Sequence, residues 1–262
     1  MAGTSSVPEA PMADRFTVQV AVDYEMLSEL AANAVTATVE ANPRSVMTLP
    51  TGETPRGMYD ELVRRIVDGR LDFSGVQFFC LDEYLGTAID DEVSLTSWLR
   101  DAFFQPAGLA EANTHVLPST ASDPDEAAAA YDAEIQTAGG FDLAVVGIGR
   151  NGHVAFNEPG SPPDSRTRVI DLTPASREQN AAYYDGRQEI PARAMTVGLG
   201  TILEARSIVL IASGEGKAEI LRQALEGPIT SDVPASHLRT AGARLRVIAD
   251  AAAVSKLAGE AP

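Results

Sequence analysis

The sequence predicts an α/β fold with three layers, in which a mostly parallel sheet is covered by helices on both faces. Two observations lead to this prediction. Short apolar runs of strand length alternate along the chain with segments long enough to form helices. These runs are apolar throughout, which is typical of parallel strands that are buried on both faces. Strands and helices in this order form a layered α/β core.

The predicted elements follow one another along the chain. The expected strands are Ser45–Leu49, Val76–Leu81, Asp142–Ile148, Ser207–Ala212 and Leu245–Ala249. The expected helices are Gly57–Asp68, Ser94–Phe104, Pro124–Thr137 and Gly216–Leu225. Residues 1–14 are rich in Ser, Pro and Ala, and we expect them to be a disordered lead-in. No change in composition marks a linker after them, so residues 15–262 are predicted to form a single α/β domain.

The composition excludes several classes of protein and partner. The chain has 20 Lys and Arg against 37 Asp and Glu, and its net charge of −17 makes nucleic acid an unsuitable partner. No apolar run reaches the ~18–20 residues that cross a membrane, so no membrane association is expected. Cys80 is the only cysteine, which excludes a disulfide framework and a zinc site built from cysteines. The first residues lack the features of a secretory signal, and we therefore expect a cytoplasmic globular protein.

Four loops that follow predicted strands hold most of the unusual residues. They contain Thr51, Asp82, His153 and Lys217, respectively. In open parallel sheets, ligands bind outside the carboxyl ends of the strands, where such loops meet. We therefore predict one site at this edge of the sheet.

The first loop, Thr51-Gly52-Glu53-Thr54, has the composition of an anion cradle at the start of a helix. The alternative is an ordinary strand-to-helix turn in which Thr54 caps the helix and Pro55 is its first residue. The carboxylate of Glu53 is unfavourable beside an anion unless it points away. Lys217, after two glycines at another helix start, could meet the same anion as a point charge.

Two further loops carry candidate acid–base groups. Asp82 and Glu83 follow a very apolar strand, and either carboxylate there could be a general base; the alternative is a solvated loop. His153 follows a glycine-rich turn, and Glu158 lies five residues later. A carboxylate at this spacing could raise the proton affinity of the imidazole and fix its tautomer. The alternative is a histidine that is merely hydrogen-bonded in a loop.

Neither a metal nor a dinucleotide is expected in this site. A metal site from His153, Asp82, Glu83 and Glu158 would contain only one histidine, and we do not favour it. Residues 147–152 match the spacing G-x-G-x-x-G of dinucleotide-binding loops. Three prolines, Pro159, Pro162 and Pro163, follow too soon for the long helix that this motif requires. No cofactor is therefore predicted.

Taken together, these loops resemble the glucosamine-6-phosphate deaminase family, which is related to the 6-phosphogluconolactonases. The similarity extends from about Val18 to Val254. The segment GHVAFNEP is highly specific, and its Glu158 indicates the deaminase branch. The other matching segments are LPTGETP (Leu49–Pro55), LDEYLG (Leu81–Gly86), SRTR (Ser165–Arg168), AMTVGLGTILEA (Ala194–Ala205) and SGEGKAEIL (Ser213–Leu221).

The resemblance implies a Rossmann-like fold of the deaminase type and a cofactor-free reaction. Glucosamine 6-phosphate and water would give fructose 6-phosphate and ammonia. Asp82 would be the base that moves the C2 proton to C1, and His153, tuned by Glu158, would assist ring opening. The implied phosphate-binding residues are Thr51, Gly52, Thr54 and Lys217, with Glu53 in the same loop. The implied partner is a small sugar phosphate, and a homo-oligomer is possible because the family includes monomers and hexamers.

The sequence departs from the family pattern at positions that bear on function. Asn151 stands where the family often has Asp, and it can orient His153 only by hydrogen bonding. Ala182 replaces an Arg that grips the phosphate, and Glu53 replaces a small residue of the phosphate loop. The last two changes put the phosphate group in question. They leave two alternatives open: a lactonase or sugar isomerase acting on a related substrate, and a non-catalytic sugar-phosphate sensor.

Overall fold

The computed structural model describes residues 15–181 and 189–258, and its main feature is a sheet of seven parallel strands. Its strands, in their order across the sheet, are β1 (Thr17–Ala21), β10 (Leu245–Asp250), β9 (Ile208–Ala212), β6 (Leu143–Gly147), β2 (Val46–Leu49), β3 (Gln77–Cys80) and β5 (Thr114–His115). Every residue of β2 and β9 is buried, and since side chains alternate between faces, both faces of the sheet are covered. The predicted α/β class is confirmed.

The five predicted strands are the five interior strands of this sheet. The two edge strands, β1 and β5, are not predicted from the sequence. Four of the five residues of β1 are at least partly exposed, and β5 has only two residues. Neither presents the continuous apolar run that identifies a buried strand.

The helices include all four that the sequence predicts, and the bounds of the three undivided ones agree to within two residues. They are α1 (Tyr24–Ala41), α2 (Arg56–Val67), α3 (Leu95–Leu99), α4 (Pro124–Thr137), α5 (Pro174–Ala181), α6 (Leu199–Leu203), α7 (Ala218–Glu226) and α8 (Ala251–Val254). The predicted helix Ser94–Phe104 is divided between α3 and a π-helical turn over Arg100–Phe104. Within the ranges that the structure describes, no helix is both long and apolar enough to cross a membrane. The predicted lead-in, residues 1–14, lies outside the described residues.

A second, smaller sheet overturns one prediction. Asp82-Glu83-Tyr84 is predicted as a loop, but it forms strand β4 (Asp82–Tyr84), which pairs antiparallel with β8 (Arg193–Thr196). Strand β7 (Arg168–Asp171) completes this three-stranded sheet. A three-residue strand that begins with two acids has no recognisable hydrophobic pattern, and only the pairing with β8 defines it. The sheet holds Asp82 two residues beyond the end of β3.

Asp132, on α4, ties the small sheet to the main body of the protein. Its buried carboxylate accepts hydrogen bonds from the hydroxyls of Thr167 (2.8 Å) and Thr201 (2.7 Å). It also accepts one from Arg166 Nε at 2.9 Å. Thr167 directly precedes β7 and Thr201 lies in α6, so one carboxylate joins three elements.

We expect Asp132→Ala to lower the free energy of unfolding by about 2–4 kcal/mol, because it leaves buried hydroxyls and a guanidinium without their acceptor. Urea unfolding measures this loss. Asp125→Ala, on the exposed side of the same helix, is the control and should cost less than about 1 kcal/mol. Equal losses in the two variants would contradict the role given to Asp132.

Candidate active site

A cleft opens at the carboxyl ends of β2, β3, β6 and β9, with a volume of about 190 Å³ open to water. All four predicted loops contribute to its lining, which confirms that the sheet topology brings them together. The predicted residues in the lining are Thr51, Gly52, Glu53, Thr54, Asp82, His153 and Lys217. Asn151 and Glu158 do not line the cleft but lie behind His153, in contact with it.

The loop of Thr51–Thr54 is held by hydroxyl groups of two tyrosines. Tyr59 donates to the carbonyl of Pro50 at 2.5 Å, and Tyr24 donates to the carbonyl of Glu53 at 3.0 Å. Gly52 has a φ of 105°, a left-handed conformation that glycine adopts without strain. Helix α2 begins at Arg56 after Pro55, and no side chain caps it, so Thr54 is not the helix cap of the alternative interpretation.

The adjacent acids Asp82 and Glu83 have different environments, because successive residues of a strand face opposite sides. Glu83 is turned into the protein, where its carboxylate accepts hydrogen bonds from the Ser94 hydroxyl (2.7 Å) and the amides of Leu95 (3.0 Å) and Thr96 (2.9 Å). It thus fixes the start of α3. Asp82 lines the cleft with 9% of its surface exposed. Burial, together with the charge of Glu83, raises the pKa of Asp82 to about 7.

His153 is oriented through its Nδ1 atom. The Ser176 hydroxyl lies 3.3 Å from Nδ1, and Glu158 Oε2 lies 3.7 Å from it. The predicted histidine–carboxylate pair is therefore present, but the hydrogen-bond partner of the ring is Ser176 rather than Glu158. Gly149 makes room for the ring, since a Cβ atom at this position would lie 2.2 Å from Nε2.

Glu158 remains ionised because donors surround it. Asn151 Nδ2 donates to its Oε2 at 2.7 Å, and the amide and hydroxyl of Thr173 both lie 3.3 Å from its Oε1. Burial by itself raises the pKa of Glu158, but contacts with His153, Ser176 and Asn151 outweigh it and lower the pKa to about 2. Asn151 also accepts a hydrogen bond from the backbone amide of His153 at 3.2 Å, so the neutral amide orients both partners.

Lys217 reaches the cleft from a 3₁₀ turn before α7. Its ammonium group donates to the carbonyl of Ile148 at 2.6 Å. Burial, with a contribution from the charge of Arg150, lowers the pKa of Lys217 to about 8. An ammonium group held this way has only part of its hydration shell and can donate to an anion in the cleft.

Helix α5 is the part of the site that the sequence interpretation missed. It supplies Ser176, and its residues Gln179 and Asn180 line the cleft. The available signal is Thr173-Pro174-Ala175-Ser176, in which the Thr173 hydroxyl accepts from the Ser176 amide at 3.2 Å as a helix cap does. Trp98, on α3, was also missed as a lining residue. The predicted replacement at Ala182 lies outside the described residues.

No metal-binding cluster of three or more His, Cys, Asp or Glu residues occurs in the described part of the chain. Two of the candidate ligands, Glu83 and Glu158, are occupied by the hydrogen bonds described above. The cleft is lined by the carboxylate of Asp82, the imidazole of His153 and, beside the loop of Thr51–Thr54, the cationic side chains of Arg56 and Lys217.

Known proteins are similar to this chain in both sequence and fold. The family described as glucosamine-6-phosphate isomerases/6-phosphogluconolactonase matches residues 22–247. Glucosamine-6-phosphate deaminase of Lysinibacillus sphaericus is 43% identical over 215 residues, which are 82% of this chain and 91% of that protein. The enzyme of the same name from Rhodopirellula baltica is 40% identical over 236 residues, 90% of this chain and 94% of that protein.

Solved structures agree with these sequence matches. A monomeric glucosamine-6-phosphate deaminase superposes with a TM-score of 0.89 at 36% identity, over 92% of this chain and all (100%) of that one. The 6-phosphogluconolactonase of Trypanosoma brucei superposes with a TM-score of 0.75 at 19% identity, over 93% of this chain and 99% of that one, a likeness of fold alone. The chain belongs to the family of glucosamine-6-phosphate isomerases and 6-phosphogluconolactonases.

Proposed function

We propose that this chain is a glucosamine-6-phosphate deaminase, which converts glucosamine 6-phosphate and water to fructose 6-phosphate and ammonia. The observation that carries the proposal is the presence of Asp82 and His153 in one cleft beside the loop of Thr51–Thr54, which we call the anion loop for its predicted role. Relatives at about 40% identity bear this name, whereas the lactonases match at about 20% and support only the fold. Because sugar phosphates are charged and do not cross membranes, we place the enzyme in the cytoplasm.

His153 opens the sugar ring in the proposed mechanism. The imidazole takes the proton from the O1 hydroxyl and delivers one to the ring oxygen, so that the C1–O5 bond breaks and an aldehyde forms. Glu158, ionised because of its low pKa, stabilises the imidazolium that exists between the two transfers. Ser176 and Asn151 keep the ring and the carboxylate in fixed positions.

Asp82 then carries out the isomerisation. Its carboxylate removes the proton from C2 while the aldehyde oxygen takes up a proton from solvent, which gives an enolamine. Asp82 then returns its proton to C1, which leaves a protonated imine at C2. Water adds to the imine carbon and ammonia leaves, giving the ketose. A pKa of about 7 makes Asp82 a much stronger base than an exposed aspartate while leaving it largely ionised above neutral pH.

The anion loop and Lys217 hold the phosphate in this proposal. Thr51, Gly52 and Thr54 supply hydroxyl and backbone donors, and Lys217, whose pKa of about 8 leaves it mostly protonated at pH 7, supplies a charge. The partner is thus a small sugar phosphate. A homo-oligomer and a single domain over residues 15–262 remain predictions, which light scattering and limited proteolysis would check.

The direct test follows ammonia and ketose phosphate released from glucosamine 6-phosphate. No release from this substrate or from its galactosamine epimer would contradict the proposal. Hydrolysis of 6-phosphogluconolactone instead would support the lactonase alternative. Binding of the sugar phosphate without any turnover would support the sensor.

We expect Asp82→Asn to reduce kcat by about 10²–10⁴-fold, because the amide cannot accept the C2 proton.

The Asp82→Asn variant should also be more stable than the wild type at pH 8. The pKa of Asp82 is raised on folding, so the native state is penalised for its charge above pH 7, and the amide removes this penalty. The gain at pH 8 should exceed that at pH 5 by about 2–3 kcal/mol, as thermal unfolding would show. Loss of both activity and stability in Asp82→Asn would contradict the role of Asp82 as a buried base. Asp60→Asn, a substitution at an exposed aspartate, is the control.

We expect kcat/KM to fall as the pH drops through about 7, since protonation of Asp82 removes the base. Glu83→Gln removes the neighbouring negative charge while keeping a hydrogen-bond acceptor for α3. It should therefore shift the acidic limb of the pH profile to lower pH. The profile is measured beside that of Glu126→Gln, an exposed substitution on α4. An acidic limb that stays at the same pH in folded Glu83→Gln would show that this charge does not act on the base.

We expect Gly149→Ala to reduce kcat at least about 10²-fold, because the new Cβ displaces the imidazole of His153 from its position. Gly216→Ala is the control, since a Cβ atom there meets nothing within 4 Å. Both variants are compared by steady-state kinetics and by their circular dichroism. Full activity of Gly149→Ala would mean that the position of the ring is unimportant.

A further inference from the structure

We propose that Arg56 binds the phosphate group of the substrate, held ready for it by Glu53 and Trp98. This inference rests on the proposed function and deepens it by naming a substrate-binding residue. Arg56 is the first residue of α2 and lines the cleft next to the anion loop. In the described part of the chain, Arg56 and Lys217 are the two cationic residues of the lining.

The guanidinium of Arg56 is oriented by two contacts. Its Nε donates to Glu53 Oε1 at 2.9 Å, and its central carbon lies 4.8 Å from the centroid of the Trp98 ring. A cation stacked on an indole ring and hydrogen-bonded at one edge has little rotamer freedom left to lose on binding. Trp98 also lines the cleft, so the stacked pair forms part of its wall.

The same contacts leave the other edge of the guanidinium available. Within residues 15–181 and 189–258, neither terminal nitrogen of Arg56 has a hydrogen-bond partner. The planar fork of a guanidinium matches two oxygens of a phosphate, a geometry that an ammonium group lacks. Lys217 already donates one of its protons to Ile148, so Arg56 brings the larger share of free donors.

Glu53 fits this assignment despite its negative charge. Its side chain is 62% exposed and its charge is paired with Arg56, so solvent and the guanidinium both weaken its repulsion of an anion. The carboxylate thus acts as a positioning group for the cation rather than as an obstacle in the anion loop.

Binding of inorganic phosphate, measured by calorimetry, tests the inference without any turnover. Arg56→Gln should weaken phosphate binding about 10–100-fold, the effect of losing one charge-assisted contact. Arg56→Lys keeps the charge but loses the fork, and should recover only part of the affinity. Arg64→Gln, on the exposed side of the same helix, is the matched control and should bind like the wild type.

Kinetics provide a second measurement. Arg56→Gln should raise KM for glucosamine 6-phosphate by a similar factor while kcat changes little, because the contact holds the substrate and the transition state alike. Phosphate binding by Arg56→Gln within twofold of the wild type would overturn the inference, as would no phosphate binding by the wild type. If the wild type released no ammonia while Arg56→Gln lost phosphate binding, the proposed function would fail and the assignment of Arg56 would stand.

Discussion

The common direction of the parallel strands is the constraint on which the whole site depends. β2, β3, β6 and β9 end at the same edge of the sheet, and each is followed by a loop or short strand that carries one chemical group. Residues as far apart in the chain as Thr51 and Lys217 therefore line one cleft. Burial of these strands on both faces makes the edge rigid, so the side chains that extend from it keep their relative positions.

In this site, the surroundings shift the pKa values of two buried carboxylates in opposite directions. Asp82 is buried, accepts no hydrogen bond from any described residue and lies beside the carboxylate of Glu83, and these conditions favour its protonated form. Glu158 is as buried as Asp82, but it accepts hydrogen bonds from Asn151 and Thr173 and lies near the imidazole of His153. Burial raises the pKa of both groups, but only around Glu158 do donors and an imidazole outweigh it, so Asp82 is a base near neutral pH and Glu158 a permanent charge.

Two departures from the family pattern, Asn151 and Glu53, have local structural partners. Asn151, where the family often has a carboxylate, donates to Glu158 and accepts from the amide of His153. Ser176 supplies the hydrogen bond to the ring that Glu158, at 3.7 Å, does not make. In the same way, Glu53 is compensated by its pair with Arg56. The roles of Asn151 and Glu53 are therefore explained by the neighbouring residues that they contact.

The sequence by itself determined the central strands, four of the eight α-helices of the described residues and the loops that form the cleft. These features follow from local patterns, since a buried parallel strand needs a continuous apolar run and its loop is adjacent in the chain. Tertiary structure alone decided the edge strand β1, the small sheet that carries Asp82, and the placement of α5 beside His153. It also separated Asp82 from Glu83, which look equivalent in the sequence, because only Glu83 accepts hydrogen bonds from Ser94, Leu95 and Thr96 further along the chain, while Asp82 faces the cleft. Such contacts form between residues distant in sequence, and no local pattern encodes them.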